Sequence, residues 1–406
     1  MSVLSDADVA RIRRRSHAVI ISGQALAGIG MGATFSAAAL LATQLSGSPA
    51  WSGTATTMST LGAAAAALPL AALARRSGRS PALATGAGLA AVGAVLGLVA
   101  SIFSVFWLFL VAMAFIGVGT AVNLQSRFAA TDLSQPDRRG RDLAVVVWAT
   151  TVGAVAGPNL IGPGDAVGQL LGIPELGGVF LFTLVAQVLA AALYVVALRP
   201  DPLRTAERLG VERGTAAVLE GTGERGGVIV GILSLALSHA TMAAVMSMTP
   251  VHLVDHGATL VIVGLTISLH VAGMYGLSPV WGVLSDRLGR ETVIGLGQGM
   301  LLAALLMTAF GAEHSGWVLA GLILLGLGWS ASTVAASGLV TDSAEPARRT
   351  TIQGRADLAM SLAGAVGAGS AGLVLALIGY AGLSLVATAL VAVVLASLAL
   401  RTARRG

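Results

Sequence analysis

Twelve apolar runs separated by short polar turns fill the chain: residues 17–44, 52–74, 81–101, 105–130, 143–163, 177–198, 227–252, 259–283, 292–312, 317–340, 357–378 and 383–400. Most are close to the roughly 20 residues that carry a helix across a bilayer. A backbone in lipid must satisfy its own hydrogen bonds, and a helix does so within each segment. The pattern predicts an all-α integral membrane protein of 12 transmembrane helices. Only 11% of residues are charged and mean hydropathy is +0.86, whereas soluble domains carry about 25% charged residues. The 53 glycines fit close helix packing through small residues.

The polar turns set the orientation. Arg11, Arg13, Arg14 and Arg15 precede the first run. With these inside, every second turn is cytoplasmic. Those turns hold Arg75, Arg76 and Arg79; Arg138, Arg139 and Arg141; Arg287 and Arg290; and Arg348, Arg349 and Arg355. The opposite turns, such as "SGSPAWSG" and "GAEHSGW", hold none. This is the positive-inside pattern, with both termini cytoplasmic. It also accounts for the sequence pI of about 10.8 without nucleic acid. The polar stretch 199–226 divides two bundles of six spans, 1–198 and 227–406, and reads mainly as a tether with scope for a surface helix. The start is polar, then basic, and leads into an apolar run too long for a cleaved signal. The expected location is the bacterial inner (cytoplasmic) membrane, as a monomer in the lipid bilayer.

All 24 basic residues are arginine and there is no cysteine. Disulfides, thiolate metal sites, a P-loop lysine and a Schiff base are thereby excluded. No nucleophile–base pair or H-E-x-x-H appears. "GTGERGG" at 221–227 precedes a membrane span and does not follow a strand, so it fails as a phosphate loop. An enzyme is not expected.

The turn after the eighth run reads "GVLSDRLGR", with Gly282, Asp286, Arg287, Gly289 and Arg290. A shift of 211 residues aligns Gly289 with Gly78, Arg290 with Arg79 and Arg287 with Arg76. The halves are therefore parallel repeats, a transporter signature. A tight glycine turn with an Asp–Arg cluster would brace helix ends at the cytoplasmic face. In this loop the chain resembles the major facilitator superfamily, whose G-x-x-x-D-R-x-G-R signature is intact at Gly282–Arg290. In the first half Ala71 replaces the first glycine and Arg75 the aspartate. The resemblance covers essentially the whole chain. It implies two six-helix bundles rocking about a central cavity, with the Gly282–Arg290 residues at a cytoplasmic gate.

The seventh and eighth spans carry unusual side chains. His239, Met242 and Met246 fall at helical spacing on one face, and His270 and Met274 share a face of the next span. Both groups fall near mid-membrane, where such transporters bind substrate. Thioethers select Cu(I), and imidazole also suits copper. Methionine also fills irregular cores, but ionisable groups within a membrane default to function. Met248 lies off the shared face and reads as packing. His252 and His256 fall at the outer end.

The motifs Met242-x-x-x-Met246 and His270-x-x-x-Met274 resemble those of copper importers of the CcoA type, which supply copper for haem–copper oxidase assembly. That resemblance implies copper as the substrate, these four residues as its ligands, inward transport and a cytoplasmic copper acceptor. No separate cofactor is expected. Members of that branch can carry cysteines; this chain has none.

A proton-coupled exporter of drugs or metabolites is the alternative. Gly153, Gly157 and Pro158 match part of the G-x-x-x-G-P antiporter signature, with Ile161 where a further glycine is usual. Such an exporter would hold a carboxylate within the membrane, but Asp132, Asp142, Asp286, Asp342 and Asp357 all fall at cytoplasmic ends. Gln24, Asn123 and Asn159 either line a cavity in the first half or bond between helices. A receptor or scaffold fits the repeat and the polar residues within spans poorly.

Overall fold

The computed structural model describes residues 5–48, 51, 53–212 and 224–403, which are almost entirely helical. The first four spans are single helices: α1 (Asp6–Ser46), α2 (Thr54–Ser77), α3 (Arg79–Ile102) and α4 (Phe106–Ala129). The fifth is broken. Its first part, α5 (Arg139–Ala156), gives way to a 3-10 turn, Pro158–Leu160, before α6 (Ile161–Leu170). Proline at 158 lacks the N–H that would continue the α-helical ladder. The sixth span is α7 (Val179–Ala197), and α8 (Pro202–Glu212) follows in the middle loop.

The seventh span is α9 (Arg225–Asp255). The eighth is split at Gly276 and Leu277 into α10 (Leu260–Tyr275) and α11 (Ser278–Leu288). Then come α12 (Arg290–Phe310), α13 (Ser315–Ser343) and α14 (Arg349–Ala403). The last contains two spans, broken at Gly379, whose φ of 71° is a left-handed conformation that favours glycine. Among the described residues ten helices are long and apolar enough to cross a membrane. The interrupted fifth span and the double α14 reconcile ten with twelve.

The chain packs as two compact units: residues 1–135, 149–222 and 345–358 in one, and 136–148, 223–344 and 359–406 in the other. The sequence division at 199–226 differs from this in two short segments. The first turns of α5 pack with the second unit, and those of α14 with the first. Small residues explain both. A Cβ on Gly282 of α11 would come within 2.5 Å of the Gly140 carbonyl oxygen, so α5 lies backbone to backbone on α11. At the corresponding place in the first unit, Ala71 of α2 meets Gly354 of α14, where an added Cβ would lie 2.4 Å from the alanine methyl.

Within the first unit, Ala33, Ala37 and Leu41 of α1 share a core with Phe109, Met113 and Ile116 of α4 and Phe180 of α7. In the second unit α13 is the most enclosed span, packed on α9, α10, α11 and α12. The expected tether over 199–226 begins instead as a docked helix. Asp201 accepts from the amides of Arg204 at the start of α8 and of Ser80 at the start of α3. The Arg204 guanidinium donates to the Arg76 carbonyl. The remainder of that expectation, residues 213–223, lies outside the described residues.

The α1–α5 crossing offers a test of this packing. Gly28 and Gly32 of α1 face Gly153 and Gly157, and a Cβ on Gly157 would come within 2.4 Å of the Gly32 carbonyl carbon. Gly157→Leu is expected to abolish recovery of monodisperse protein in detergent, because main chain on both sides leaves no side chain to move aside. Gly162→Leu, where a Cβ meets nothing within 4 Å, is expected to behave as wild type in the same size-exclusion assay.

Candidate transport site

The histidines and methionines singled out in the sequence all fall in the second unit. His270 and Met274 lie one helical turn apart on α10 and are both buried. Met242 on α9 is buried, and Met246, one turn on, is half-buried. The His270 ring is fixed by its Nδ1, which lies 2.7 Å from the Leu322 carbonyl of α13. A carbonyl can only accept, so Nδ1 carries the proton. In the neutral ring Nε2 then presents a lone pair. That Nε2 is buried and has no partner among the described residues. Buried polar atoms are normally satisfied, so an orphan acceptor is a place for a ligand.

His239 behaves differently. Its Nδ1 accepts from the Trp329 indole N–H at 3.1 Å, and Tyr275 meets Trp329 edge-on at 5.8 Å. The ring belongs to an aromatic group with α10 and α13. Met248 packs with Ala244, Ala371 and Leu383, as its position off the shared face predicts. His252 is buried, donates to the Ala312 carbonyl and stacks on Tyr380 at 4.2 Å. His256 is exposed, 3.9 Å from Glu313. Among the described residues no three of His, Cys, Asp or Glu come together as a metal site. A metal held within this unit would therefore rely on thioether sulfur.

The loop signature is a second centre, at the arginine-rich end. Asp286 accepts from the backbone amides of Gly140 and Arg141 at the start of α5, both at 2.8 Å. A carboxylate there neutralises the positive end of the helix dipole. Arg290 donates to Asp286 at 2.6 Å and to Asp342 at 3.0 Å. The brace on Asp286 is thus Arg290, not Arg287, which is exposed. Gly289 and Gly78 adopt the same turn, with φ and ψ of 89° and 153° in one and 101° and 174° in the other. The repeat read from the sequence is therefore also a conformational repeat.

In the first unit Arg79 makes a two-pronged pair with Asp132, at 2.8 and 3.0 Å, and donates to Gln353 of α14 at 2.8 Å. Burial pushes the Asp132 carboxyl above its ordinary range despite Arg79 beside it. Arg75, in the position of Asp286, donates to Thr351 of α14. Asp357 of α14 is fully buried and pairs with Arg127 of α4 at 2.7 Å. Asp357 lies about two turns into α14 at the arginine-rich end, where the sequence places it, and is fully buried there.

The remaining candidates sit on separate elements. Gln24 of α1 is buried, with its amide 3.4 Å from Thr150 of α5, so it bonds between helices. Asn123 is half-buried on α4, and Asn159 is exposed in the turn after α5. The partial G-x-x-x-G-P match is the seat for α1. In the second unit Gln298, Ser238 and Ser332 form a buried triangle of hydrogen bonds at 2.7–2.9 Å. The sequence missed the Leu322 carbonyl, which carries no side-chain signal, and Trp329 as a partner of His239.

Two helical units with repeated turns and polar groups inside the spans define a secondary transporter of the membrane, not an enzyme. The profile of the Major Facilitator Superfamily matches residues 20–234 and 231–406, and the chain belongs to that family. It is 36% identical over 380 residues to the uncharacterized MFS-type transporter YdeG of Bacillus subtilis strain 168, covering 92% of this chain and 88% of the relative. It is 29% identical over 411 residues to the riboflavin transporter RfnT of Brucella anthropi, covering 99% of each. The crystal structure of the human organic anion transporter MFSD10 superposes with a TM-score of 0.77 at 17% identity, over 95% of this chain and 99% of that one.

Proposed function

We propose that the protein imports copper across the cytoplasmic membrane by alternating access, with His270, Met274, Met242 and Met246 as the copper ligands. The observation that carries this reading is His270, buried and anchored through Nδ1, with an unpartnered Nε2 one turn from buried Met274. Anchoring one ring nitrogen on a carbonyl is how metal-binding histidines are oriented. Thioethers on α9 and α10 add soft, neutral donors that suit Cu(I). They need no deprotonation, so copper can be taken up and passed on without obligatory proton release. Aspartate or glutamate would favour harder ions, and neither occurs in α10.

In this reading copper enters from the side without arginines and leaves at the arginine-rich, cytoplasmic end. There a copper acceptor takes it for haem–copper oxidase assembly. Asp286, Gly282, Gly289 and Arg290 gate that end by holding the start of α5, and Arg287 contributes surface charge. Radiolabelled copper uptake into cells is the test. His270→Ala and Met242→Ala are each expected to lower it at least about tenfold, a loss of about 1.4 kcal/mol in binding or barrier. Undiminished uptake in both, at equal expression, would remove copper as the substrate.

A second reading, transport of an organic metabolite, is favoured by the aromatic group of His239, Trp329 and Tyr275 and by the full-length likeness to a riboflavin transporter. Flat heteroaromatic rings stack on such groups. It predicts accumulation or efflux of labelled riboflavin or a planar dye that Trp329→Ala reduces and His270→Ala does not.

A further inference from the structure

Two glycines close the seam between α10 and α13. A Cβ on Gly326 of α13 would come within 2.4 Å of the His270 carbonyl oxygen and 3.1 Å of the Met274 nitrogen. A Cβ on Gly273 of α10 would come within 2.9 Å of the Ile323 carbonyl oxygen. The two main chains therefore touch beside the histidine. The α-helical ladder pairs the Gly326 N–H with the Leu322 carbonyl. That oxygen keeps a second lone pair. A helical side chain leans over the turn before its own Cα, so a side chain at 326 would crowd the turn that holds Leu322. Glycine leaves that turn open, and His270 Nδ1 reaches the carbonyl at 2.7 Å.

The same helix holds the other mid-span imidazole in the opposite sense. Trp329 lies about two turns beyond Leu322 on α13, and an indole can only donate. Its N–H meets His239 Nδ1 at 3.1 Å, so the neutral His239 ring carries its proton on Nε2. We propose that α13 sets the tautomers of both histidines, with Gly326 the positioning residue that admits His270 to the Leu322 carbonyl and so makes Nε2 its ligand nitrogen. His270 then offers a buried Nε2 lone pair that has no partner among the described residues. His239, with its proton on Nε2, is set aside as a copper ligand through that atom. The proposal rests on the copper reading only for what Nε2 binds; the tautomers need no substrate.

The test is ¹⁵N NMR of histidine-labelled protein in detergent without metal, at about pH 9, well above the ordinary imidazole value of about 6.5. The chain has 6 histidines, and the His270 signals are those missing from His270→Gln. The parent is expected to show His270 with its proton on Nδ1, and Gly326→Ala a mixture of both tautomers. Gly273→Ala widens the seam from the other helix with a milder approach; it is expected to give a mixture too and decides where Gly326→Ala does not fold. Gly328→Ala strains α13 against α12 instead, where a Cβ would lie 2.8 Å from the Gly297 carbonyl oxygen, and is expected to leave His270 as in the parent. Copper uptake then ties the tautomer to binding. The half-saturating concentration is expected to rise as the inverse of the remaining Nδ1–H fraction, about fivefold where about one-fifth remains, with the maximal rate kept. A parent proton on Nε2, an unmixed His270 in the folded seam variants, or a mixture in Gly328→Ala overturns the proposal. A mixture confined to the seam variants with unchanged half-saturation upholds the positioning and removes copper as what Nε2 binds.

Discussion

The double variant Met242→Leu, Met274→Leu is expected to fold as wild type and to lose copper uptake at least about tenfold, or about 1.4 kcal/mol. Leucine and methionine are close in volume, and such swaps in a packed interior usually cost less than about 1.5 kcal/mol. Both positions are buried, at 4% and 6% exposure, so packing is conserved and only the sulfur lone pairs disappear. Alanine would remove volume and ligand together, and a lost activity could then come from a cavity. His270 keeps its anchor on Leu322 in this variant, so one imidazole and the Met246 thioether remain of the four proposed donors. The measurement is the initial rate of radiolabelled copper entry under reducing conditions, at matched expression and with detergent melting curves alongside. Met248→Leu is the control, since that side chain packs against Ala244, Ala371 and Leu383. Equal rates in the double variant would assign Met242 and Met274 to packing.

The spans, the parallel repeat and the small-residue packing are legible in the sequence because each follows from a local rule. Apolar length sets a span, and a turn such as Gly289–Arg290 needs a backbone conformation that glycine allows. Pro158 breaks the fifth span for an equally local reason. The exchange of the first turns of α5 and α14 between units is not legible. It depends on which neighbour Gly140 and Gly354 face, and small residues are everywhere in this chain. The sequence places Asp357 at a cytoplasmic end, close after Arg355 and opening an apolar run; its burial and its pairing with Arg127 of α4 arise from packing. The two mid-span histidines look equivalent as letters. Only the fold separates His239, bonded to Trp329, from His270, with its unpartnered nitrogen. Such distinctions live in tertiary contacts, beyond the reach of periodicity and composition.

Arg79→Met is expected to be the most destabilising single exchange at the arginine-rich end, by about 3–5 kcal/mol, because it strands a buried carboxylate. Arg79 and Asp132 have side chains only 2% and 3% exposed, and the guanidinium also holds Gln353 of α14. Methionine keeps much of the arginine stem but offers no donor, so Asp132 loses both of its short bonds. Arg290, its repeat partner, pairs with Asp342, whose side chain is 31% exposed, and with the buried Asp286, which also accepts from the Gly140 and Arg141 amides; water and those amides can take over there, and Arg290→Met should cost less. Thermal unfolding in detergent, followed by tryptophan fluorescence, checks the order Arg79→Met below Arg290→Met below wild type. The paired exchange Arg79→Met, Asp132→Leu separates the cause. Replacing both members of a buried pair with apolar groups is often neutral, so it is expected to recover most of the loss. If the double variant is no more stable than Arg79→Met, the arginine acts mainly through Gln353 and the start of α14. If Arg79→Met melts with wild type, the pair contributes no net stability.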